Sequence, residues 1–390
     1  MASDMLVSIK RSTDSVVRTP GALSRAWSLI RPGIANRIMR LQQTSNSNLH
    51  TPAIFPSGLV RAINRSDADV VNLHWIGEET LSIGEIARIA KPIVWTMHDM
   101  WAFCGAEHYA PDDAQARWRA GYSAGTRAPA DAGIDIDAWV WRRKKRLWRP
   151  CAIVASSRWL AQCARASALM NGWDITVVPN AIDTEFFRPV PARAARAELR
   201  LPENVPLLLF GSTSGTGDPR KGWDLLLQAL DIVRTQRPDA VCVVIGKETP
   251  DLTRQLPLPV HWFGPVQDDR VLLSLYAAAD ATLVPSRQDN LPLMATEAQA
   301  CGCPVVAFAA TGLPDAVEHE VTGFLAEPFS PADLARGIRW VVDDPERHQR
   351  LRAQARARAL ALWAPQVVAA RYRDLYPAAV EAERSRKMRK

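Results

Sequence analysis

Two acidic side chains with a defined spacing carry the clearest chemical signal in the chain. Asp289 and Glu297 enclose seven residues within the string VPSRQDNLPLMATEAQACGCPVV. The apolar run before them predicts a buried strand, and Pro292, which follows Asn290 and Leu291, favours the first turn of a helix. Free N–H groups at such a helix start bind phosphate, and a carboxylate one turn further along can accept two hydrogen bonds from a ribose diol. The competing interpretation is a capped helix with a solvated carboxylate.

A second candidate site follows another apolar run. The string LLLFGSTSGTGDPRKGWDLLLQAL joins a predicted strand to a loop rich in Gly, Ser and Thr, and Arg220 and Lys221 open the next helix. Gly211, Gly215 and Gly217 allow the backbone to approach a ligand closely. A lysine at this position can neutralise a leaving diphosphate as its charge develops. The alternative is a polar loop with a solvated cation.

Histidines end two predicted strands of the first half. His98 and Asp99 follow the run in KPIVWTMHDMWAFCGAEHY, and His74 ends the run in VNLHW. A histidine in such a place can accept a proton or orient a hydroxyl, and we expect Asp99 to fix the tautomer of His98. Glu107 and His108 are weaker candidates nearby. Histidines after strands also serve as ordinary hydrogen-bonding residues, which is the competing interpretation for His74 above all.

The elements that position these residues alternate between strands and helices in two blocks. Apolar runs rich in Val and Ile predict the strands Met5–Ile9, Asp69–His74, Pro92–His98, Ala152–Ser156 and Ile175–Pro179, then Pro206–Gly211, Ala240–Gly246, Val260–Gly264, Ala281–Pro285 and Pro304–Phe308. Helical stretches separate them, so the 390 residues predict two doubly wound α/β domains. The irregular, Ala/Gly/Pro/Asp-rich segment 110–137 is expected to be a long mobile loop.

These motifs together resemble the retaining glycosyltransferase family 4, and HDMWAFCGAEHY resembles its branch for extracellular and capsular polysaccharides. The resemblance implies the GT-B fold, in which two Rossmann-like domains with doubly wound parallel sheets face each other across a cleft. Residues 1–185 would form the acceptor-side domain, residues 186–354 the nucleotide-sugar donor domain, and helices at about 355–380 would pack back on the first domain. Residues 381–390 are expected to be a charged tail.

The resemblance also implies roles for individual residues. Asp289, Asn290 and Leu291 would face the donor sugar and its diphosphate, and Glu297 would hold the ribose. The remaining donor-binding positions are Gly211, Ser212, Arg220 and Lys221, and the acceptor side would hold His74, His98 and Asp99. The catalytic residues would be His98, Lys221 and Asp289. Two positions differ from the family pattern: the first acid is Asp rather than Glu, and Ser212-Thr213 stands where many members have an arginine, for which Arg220 is the expected substitute.

The chemistry implied is transfer from a UDP- or GDP-sugar by same-face displacement, without metal or cofactor. Two Asp-x-Asp strings, Asp67-Ala-Asp69 and Asp135-Ile-Asp137, would suit a metal-dependent enzyme, but one precedes a strand and the other ends an irregular segment. The chain starts with what resembles the family's second strand, so the opening strand, Gly-Gly loop and helix are expected to be missing. This leaves a catalytically silent sugar-nucleotide binder or assembly subunit as an alternative to the enzyme.

Composition limits the partners. The net charge is +7, which favours anionic partners, but no nucleic-acid motif accompanies it. The absence of a signal-peptide pattern and of long apolar runs, with six scattered cysteines, predicts a cytoplasmic protein with free thiols. The stretch WVWRRKKRLWRP, Trp139–Pro150, has two interpretations: a helix that lies on an anionic membrane face and meets a lipid-linked saccharide acceptor, or a solvated basic face with its Trp packed inward.

Overall fold

The computed structural model describes residues 3–8, 16–19, 21–211, 218–246 and 254–388. The chain forms two compact units. The N-terminal unit comprises residues 1–156, 160–177 and 373–390, and the C-terminal unit comprises residues 157–159 and 178–372. Each unit contains a parallel sheet with its own helices, as the alternating pattern predicts.

The N-terminal unit is built around a four-stranded parallel sheet, in which the strands Val71–His74, Ile93–Met97, Ala152–Ala155 and Ile175–Val177 lie side by side in that order. Its strands are β1 (Met5–Leu6), β2 (Val17–Arg18), β3 (Gln42–Gln43), β4 (Val71–His74), β5 (Ile93–Met97), β6 (Ala132–Gly133), β7 (Ala152–Ala155) and β8 (Ile175–Val177). Its helices are α1 (Ala22–Met39), α2 (Leu59–Arg65), α3 (Ile83–Ile86), α4 (Arg117–Ala120), α5 (Ile136–Leu147) and α6 (Arg158–Ala166). The short strands β1 and β2 pair with each other in parallel, and β3 pairs antiparallel with β6.

Segment 110–137 packs as part of the N-terminal unit, so the expectation of a long mobile loop is wrong. It contains α4, a 3-10 turn at Ala124–Thr126 and strand β6. Trp118 has no exposed surface and Tyr122 is 3% exposed. Burial of these two aromatic side chains stabilises backbone whose small and polar residues have no periodic pattern of their own.

The C-terminal unit has a six-stranded parallel sheet, in which the strands lie side by side in the order Val260–Trp262, Val241–Ile245, Leu207–Gly211, Ala281–Val284, Val305–Phe308 and Gly323–Ala326. Its strands are β9 (Leu207–Gly211), β10 (Val241–Ile245), β11 (Val260–Trp262), β12 (Ala281–Val284), β13 (Val305–Phe308) and β14 (Gly323–Ala326). Its helices are α7 (Ala192–Leu199), α8 (Trp223–Gln236), α9 (Asp269–Ala278), α10 (Leu293–Ala300), α11 (Leu313–Ala316), α12 (Pro331–Val342), α13 (Pro345–Leu362) and α14 (Pro365–Met388). Helix α14 continues from residue 373 into the N-terminal unit, so residues 381–388, expected as a tail, are helical.

Burial explains why these segments are strands and helices. Leu207, Leu208 and Leu209 of β9 are all fully buried, as a central parallel strand covered on both faces requires. Helix α8 places its buried residues three and four apart, which gives it one apolar face for the sheet. Helices α9, α12 and α13 each begin with a side chain, Asp268, Ser330 or Asp344, that accepts a backbone N–H of the first turn.

The strand order of the C-terminal unit reverses between β9 and β12. The chain builds the sheet outward from β9 through β10 and β11, then returns to the other side of β9 with β12, β13 and β14. In open α/β sheets, ligands bind in the crevice outside the carboxyl ends of the strands at such a reversal. The fold therefore defines where a ligand of this unit belongs.

Among the described residues, no helix has both the length and the apolar character needed to span a membrane. All six cysteines are free thiols, and five of them are buried.

Candidate functional site

The carboxyl ends of β9 and β12 bring the predicted donor residues to the reversal point of the C-terminal sheet. Gly211 is the last residue of β9, and Phe210 beside it pairs with Leu283 of β12. The segment from Pro285 to Leu291 follows β12 directly and leads into α10. Ser212, like Gly215 and Gly217, lies outside the described residues.

A glycine places the lysine of this site against the end of β12. Gly222 has φ +67, and a Cβ there would lie 2.0 Å from the carbonyl oxygen of Pro285. Only glycine allows this approach without moving the backbone. Lys221, which precedes it, ends a 3-10 turn that starts after Asp218, so its side chain leaves the chain where α8 begins.

Lys221 and Asp289 form an ion pair at this point. The Lys221 Nζ to Asp289 Oδ2 distance is 2.6 Å, and the two side chains are 24% and 10% exposed. Asp289 Oδ1 accepts the N–H of Asn290, and the hydroxyl of Ser286 donates to Oδ2. The backbone N–H of Asp289 donates to the hydroxyl of Thr311, whose φ is +50. These contacts give the carboxylate a defined orientation toward the lysine.

The segment after Asp289 leads into α10. Asn290 is 3% exposed, and its Oδ1 accepts the hydroxyl of Ser157, one of the three residues 157–159 that pack with the C-terminal unit. Leu291 is 6% exposed. Pro292 is the N-cap of α10 rather than its first helical residue, one position earlier than its spacing predicts. Within the described chain no side chain caps this helix start, and the N–H groups of Ala295 and Thr296 donate to the carbonyl oxygen of Pro292. The N–H groups of Leu293 and Met294 at the first two helical positions can therefore meet an anion.

Glu297 lies one turn inside α10 and contacts a residue that sequence reasoning missed. The hydroxyl of Tyr276 on α9 donates to Glu297 Oε2 at 2.8 Å. Burial raises the pKa of Glu297 and outweighs this hydrogen bond, which lowers it. Tyr276 is 2% exposed, and burial together with the neighbouring carboxylate raises its pKa as well. Tyr276 therefore holds one oxygen of the carboxylate and orients the other.

Contacts with Asp218 and with the backbone of Gln288 hold the side chain of Arg220 in place. Its guanidinium forms an ion pair with Asp218 at 2.7 Å and reaches the carbonyl of Gln288 at 3.4 Å. The backbone carbonyl of Arg220 accepts the N–H of Arg287, whose side chain pairs with Asp224 through two contacts of 2.6 Å. Arg220 thus lies beside the segment that carries Asp289.

In the N-terminal unit, His74 and His98 form a hydrogen-bonded pair. His74 is the last residue of β4, and His98 follows the last residue of β5, the adjacent parallel strand. His74 Nδ1 lies 3.1 Å from His98 Nε2. Burial, and then the charge of His98, lowers the pKa of His74 to about 4. Burial also lowers the pKa of His98, against the effect of Asp99. Both rings are therefore neutral at pH 7, and one of these two nitrogens carries the proton that they share.

Asp99 contacts a different histidine from the one expected. Its Oδ2 accepts His108 Nδ1 at 2.6 Å and the indole N–H of Trp75, and its Oδ1 accepts the N–H of Trp101. Thr51 Oγ1 lies 2.8 Å from His108 Nε2 on the far side of that ring. Asp99 thus orients His108 and Trp75, whereas the ring that hydrogen-bonds to His98 belongs to His74.

A small cavity of the N-terminal unit opens beside this network. It is lined by Trp75, Trp95, Trp101, His98, Asp99 and His108. Trp75 is 44% exposed and holds φ +27, an unusual backbone conformation for a bulky residue. Its described lining includes indole rings, two imidazoles and the carboxylate of Asp99 but no lysine or arginine, so the cavity suits a neutral, partly apolar ligand.

Solved structures with a similar fold are GT-B glycosyltransferases. Sucrose-phosphate synthase from Thermosynechococcus elongatus matches with a TM-score of 0.63 and 21% identity, and covers 84% of this chain and 81% of that one. Anabaena HepE, solved in complex with UDP-glucose, matches with a TM-score of 0.62 and 20% identity over 82% of this chain and 81% of that one. The fold is therefore GT-B, with two Rossmann-like domains.

Sequence relatives identify the family. Residues 192–358 match the model for glycosyl transferases group 1, and residues 34–186 match glycosyltransferase family 4. A D-inositol 3-phosphate glycosyltransferase of Xylanimonas cellulosilytica is 34% identical over 329 residues, 78% of this chain and 71% of that protein. A protein of the same name from Thermobispora bispora is 35% identical over 222 residues, 53% of this chain and 51% of the relative. The chain therefore belongs to the glycosyltransferase family defined by these two models and shared with the Xylanimonas relative. It spans about half the length of several other curated relatives that it matches.

Proposed function

We propose that the chain transfers a sugar from a UDP- or GDP-sugar to a saccharide or lipid-linked saccharide, as part of bacterial surface polysaccharide synthesis. The observation that carries this proposal is the Lys221–Asp289 pair at the reversal point of the C-terminal sheet, next to the uncapped start of α10. A cation and free N–H groups at one crevice suit a diphosphate. The bound UDP-glucose of Anabaena HepE supports a nucleotide-sugar donor.

Each donor residue has a separate task in this proposal. Lys221 neutralises the leaving diphosphate, and Asp289 keeps the ammonium in place before the donor binds. The backbone of Asn290 and Leu291 faces the diphosphate at the helix start. Glu297, with one oxygen held by Tyr276, accepts hydrogen bonds from the ribose diol.

The reaction proceeds on one face of the donor sugar and retains its configuration. The bond between the anomeric carbon and the diphosphate oxygen breaks, and the acceptor oxygen forms the new bond to that carbon. The acceptor proton moves to an oxygen of the leaving diphosphate. The protein contributes position and charge stabilisation, and no metal or strong base takes part. His98, neutral and paired with His74, orients a sugar hydroxyl.

The acceptor named in the relatives differs from the kind of acceptor that the lining of this cavity favours. The relatives are named for D-inositol 3-phosphate, an anionic acceptor. The cavity beside His98 presents tryptophan and histidine side chains instead, together with the carboxylate of Asp99. Aromatic rings stack on the apolar faces of sugars, whereas a carboxylate repels phosphate. This lining favours a saccharide acceptor.

An anionic membrane face remains part of the proposal through segment Trp139–Pro150. Trp141 and Trp148 are buried, and Lys144 has no exposed surface. Trp139 is 41% exposed and lies against the guanidinium of Arg143. Surface binding therefore relies on exposed basic residues and a single tryptophan, which predicts weak, salt-sensitive association.

The test is a donor panel followed by an acceptor panel. UDP, GDP and their sugars are compared by thermal unfolding, where a ligand at a hundred times its Kd stabilises by about 2.7 kcal/mol. The preferred donor is then incubated with a lipid-linked saccharide or with D-inositol 3-phosphate. Transfer to the saccharide supports the proposal, and transfer to inositol phosphate alone refutes the acceptor part. Donor binding without hydrolysis or transfer to any acceptor identifies the silent binder instead.

A further inference from the structure

Three side chains of the N-terminal unit converge in a buried place away from His98. His50, Glu107 and Asp137 each offer one ligand atom, and the three atoms lie within 4.8 Å of one another. His50 and Glu107 face each other across an isolated antiparallel bridge, and Asp137 comes from the first turn of α5. Three separate segments of the chain therefore meet at one point.

The hydrogen bonds of His50 leave one ring nitrogen directed at this point. His50 Nδ1 lies 2.6 Å from the carbonyl oxygen of Asn48, so Nδ1 carries the proton and donates it. The unprotonated Nε2 is 3.8 Å from Asp137 Oδ2, and within the described chain it is buried without a hydrogen-bond partner. The side chain is 9% exposed. A histidine fixed by a backbone carbonyl at one nitrogen presents the other as a metal ligand.

Glu107 shows the same division between its two oxygens. Oε1 accepts the hydroxyl of Tyr122, whereas the buried Oε2 has no partner among the described residues. Glu107 is 4% exposed. A Cβ on Gly105 would lie 2.6 Å from Glu107 Oε2 and 2.7 Å from Asp137 Cβ, so this oxygen lies beside Asp137. A buried polar atom without a partner costs about 1–3 kcal/mol, which a bound ion would remove.

Asp137 is held in place by donors that a metal ligand tolerates. Its Oδ2 accepts the amide of Gln42 at 2.5 Å, and its Oδ1 accepts the N–H of Ala106 at 3.1 Å. Each carboxylate oxygen has a second lone pair. Metal-binding carboxylates are commonly oriented by hydrogen bonds of this kind.

The carboxyl groups at this point have no lysine or arginine of the described chain as an ion-pair partner. Lys144 is the buried cation of the neighbourhood, but its ammonium donates to the carbonyl oxygens of Trp101, Cys104 and Gly105. The carboxyl groups of Glu107 and Asp137 therefore lie beside His50, and within the described chain neither forms an ion pair with Lys or Arg. Buried charges are normally paired or bound to metal.

We propose that His50, Glu107 and Asp137 bind one divalent transition-metal ion, for which Zn²⁺ is the best match. Zinc takes imidazole and carboxylate ligands at about 2.0–2.2 Å, and an ion between these atoms needs less than about 1 Å of movement from each side chain. The ion would link the segments around residues 50 and 107 to the start of α5 through its ligands. Its role is structural, and it is independent of the sugar transfer proposed above.

The test uses the full chain without a histidine tag. Metal content is measured by mass spectrometry after purification, and Zn²⁺ is titrated calorimetrically into chelator-treated protein. The expected result is one Zn²⁺ per chain and a higher Tm on binding. His50→Gln and Glu107→Gln should each weaken the affinity for Zn²⁺ at least tenfold. The control variant His319→Gln, which removes an exposed histidine of the C-terminal unit, should leave that affinity unchanged.

Other outcomes overturn the proposal. If the wild-type chain takes up no Zn²⁺ and Glu107→Gln is as stable as wild type, the two carboxylates share a proton instead. Equal Zn²⁺ affinity in the His50→Gln and wild-type chains overturns it too. Should the variants fail to fold, Co²⁺ added to the wild-type chain decides: visible absorption bands of a low-coordinate nitrogen and oxygen site support the proposal, and their absence refutes it.

Discussion

Replacement of Lys221 by methionine separates the structural and chemical tasks of one residue. The substitution keeps the length of the side chain but removes the ammonium that lies 2.6 Å from Asp289 Oδ2. Asp289 then keeps only Asn290 and Ser286 as donors from the contacts described above. We expect a modest loss of stability and a large loss of turnover.

The magnitudes follow from the geometry of the pair. A hydrogen bond between charged groups contributes about 1.5–3 kcal/mol, and the 24% exposure of Lys221 places this one at the lower end. For a unit of this size such a loss lowers the Tm by about 3–8 °C. Loss of the cation that meets the leaving diphosphate should reduce kcat by about 10²–10³, the range measured for single transition-state donors.

The assay compares three chains by Tm and by turnover of the preferred donor: Lys221→Met, Asp289→Asn and the double variant. Asp289→Asn in the Lys221→Met background removes the unpaired carboxylate, so it should recover most of the Tm but none of the turnover. A Lys221→Met chain whose kcat stays within about threefold of wild type would refute the leaving-group role.

Three further predictions concern the elements around the two sites. The lowered pKa of His74 means that the unfolded chain binds more protons at this residue than the folded chain between pH 6.5 and about 4. The contribution of His74 to the free energy of unfolding should therefore decrease as the pH falls through this window, and it should be constant at higher pH. His74→Gln should flatten that part of a urea-unfolding pH series. Gly222→Ala should destabilise by at least about 1–2 kcal/mol in urea and lower turnover, because alanine at φ +67 is strained and its Cβ meets the carbonyl of Pro285. Tyr276→Phe should weaken nucleotide affinity about fivefold by calorimetry, since Glu297 loses a hydrogen bond of about 1 kcal/mol, and an unchanged Kd would show that Tyr276 has no such role.

The C-terminal sheet was largely predictable from sequence because β9, β10, β12 and β13 are short apolar runs that are almost entirely buried. The predicted strand Pro206–Gly211 corresponds to β9, and Ala281–Pro285 corresponds to β12, with ends that differ by one residue. Strand β14, Gly323–Ala326, was missed because its four residues include a glycine and lie within a string that shows no alternation. Helix α1 gives little helical signal in the sequence because it carries a proline and no strong apolar face.

Contacts between side chains from distant segments were harder to predict from the sequence. The pairing of His74 with His98 follows from two strand ends at one edge of a sheet, and that proximity was predictable. Tyr276 lies on the helix before β12, in a run of apolar residues where its hydroxyl gives no signal of a partner. The convergence of His50, Glu107 and Asp137 depends on one backbone bridge and a helix start, which no spacing along the chain encodes.

Nucleotide binding to the Glu297→Ala chain tests the central claim most directly, because that claim places the ribose of the donor at α10. Isothermal titration of wild type with UDP and GDP should show one site for one of them. Two hydrogen bonds to a carboxylate are worth about 3 kcal/mol together, so Glu297→Ala should raise the Kd at least about a hundredfold while the chain stays folded. An equal Kd for the wild-type and Glu297→Ala chains would contradict the placement of the donor site.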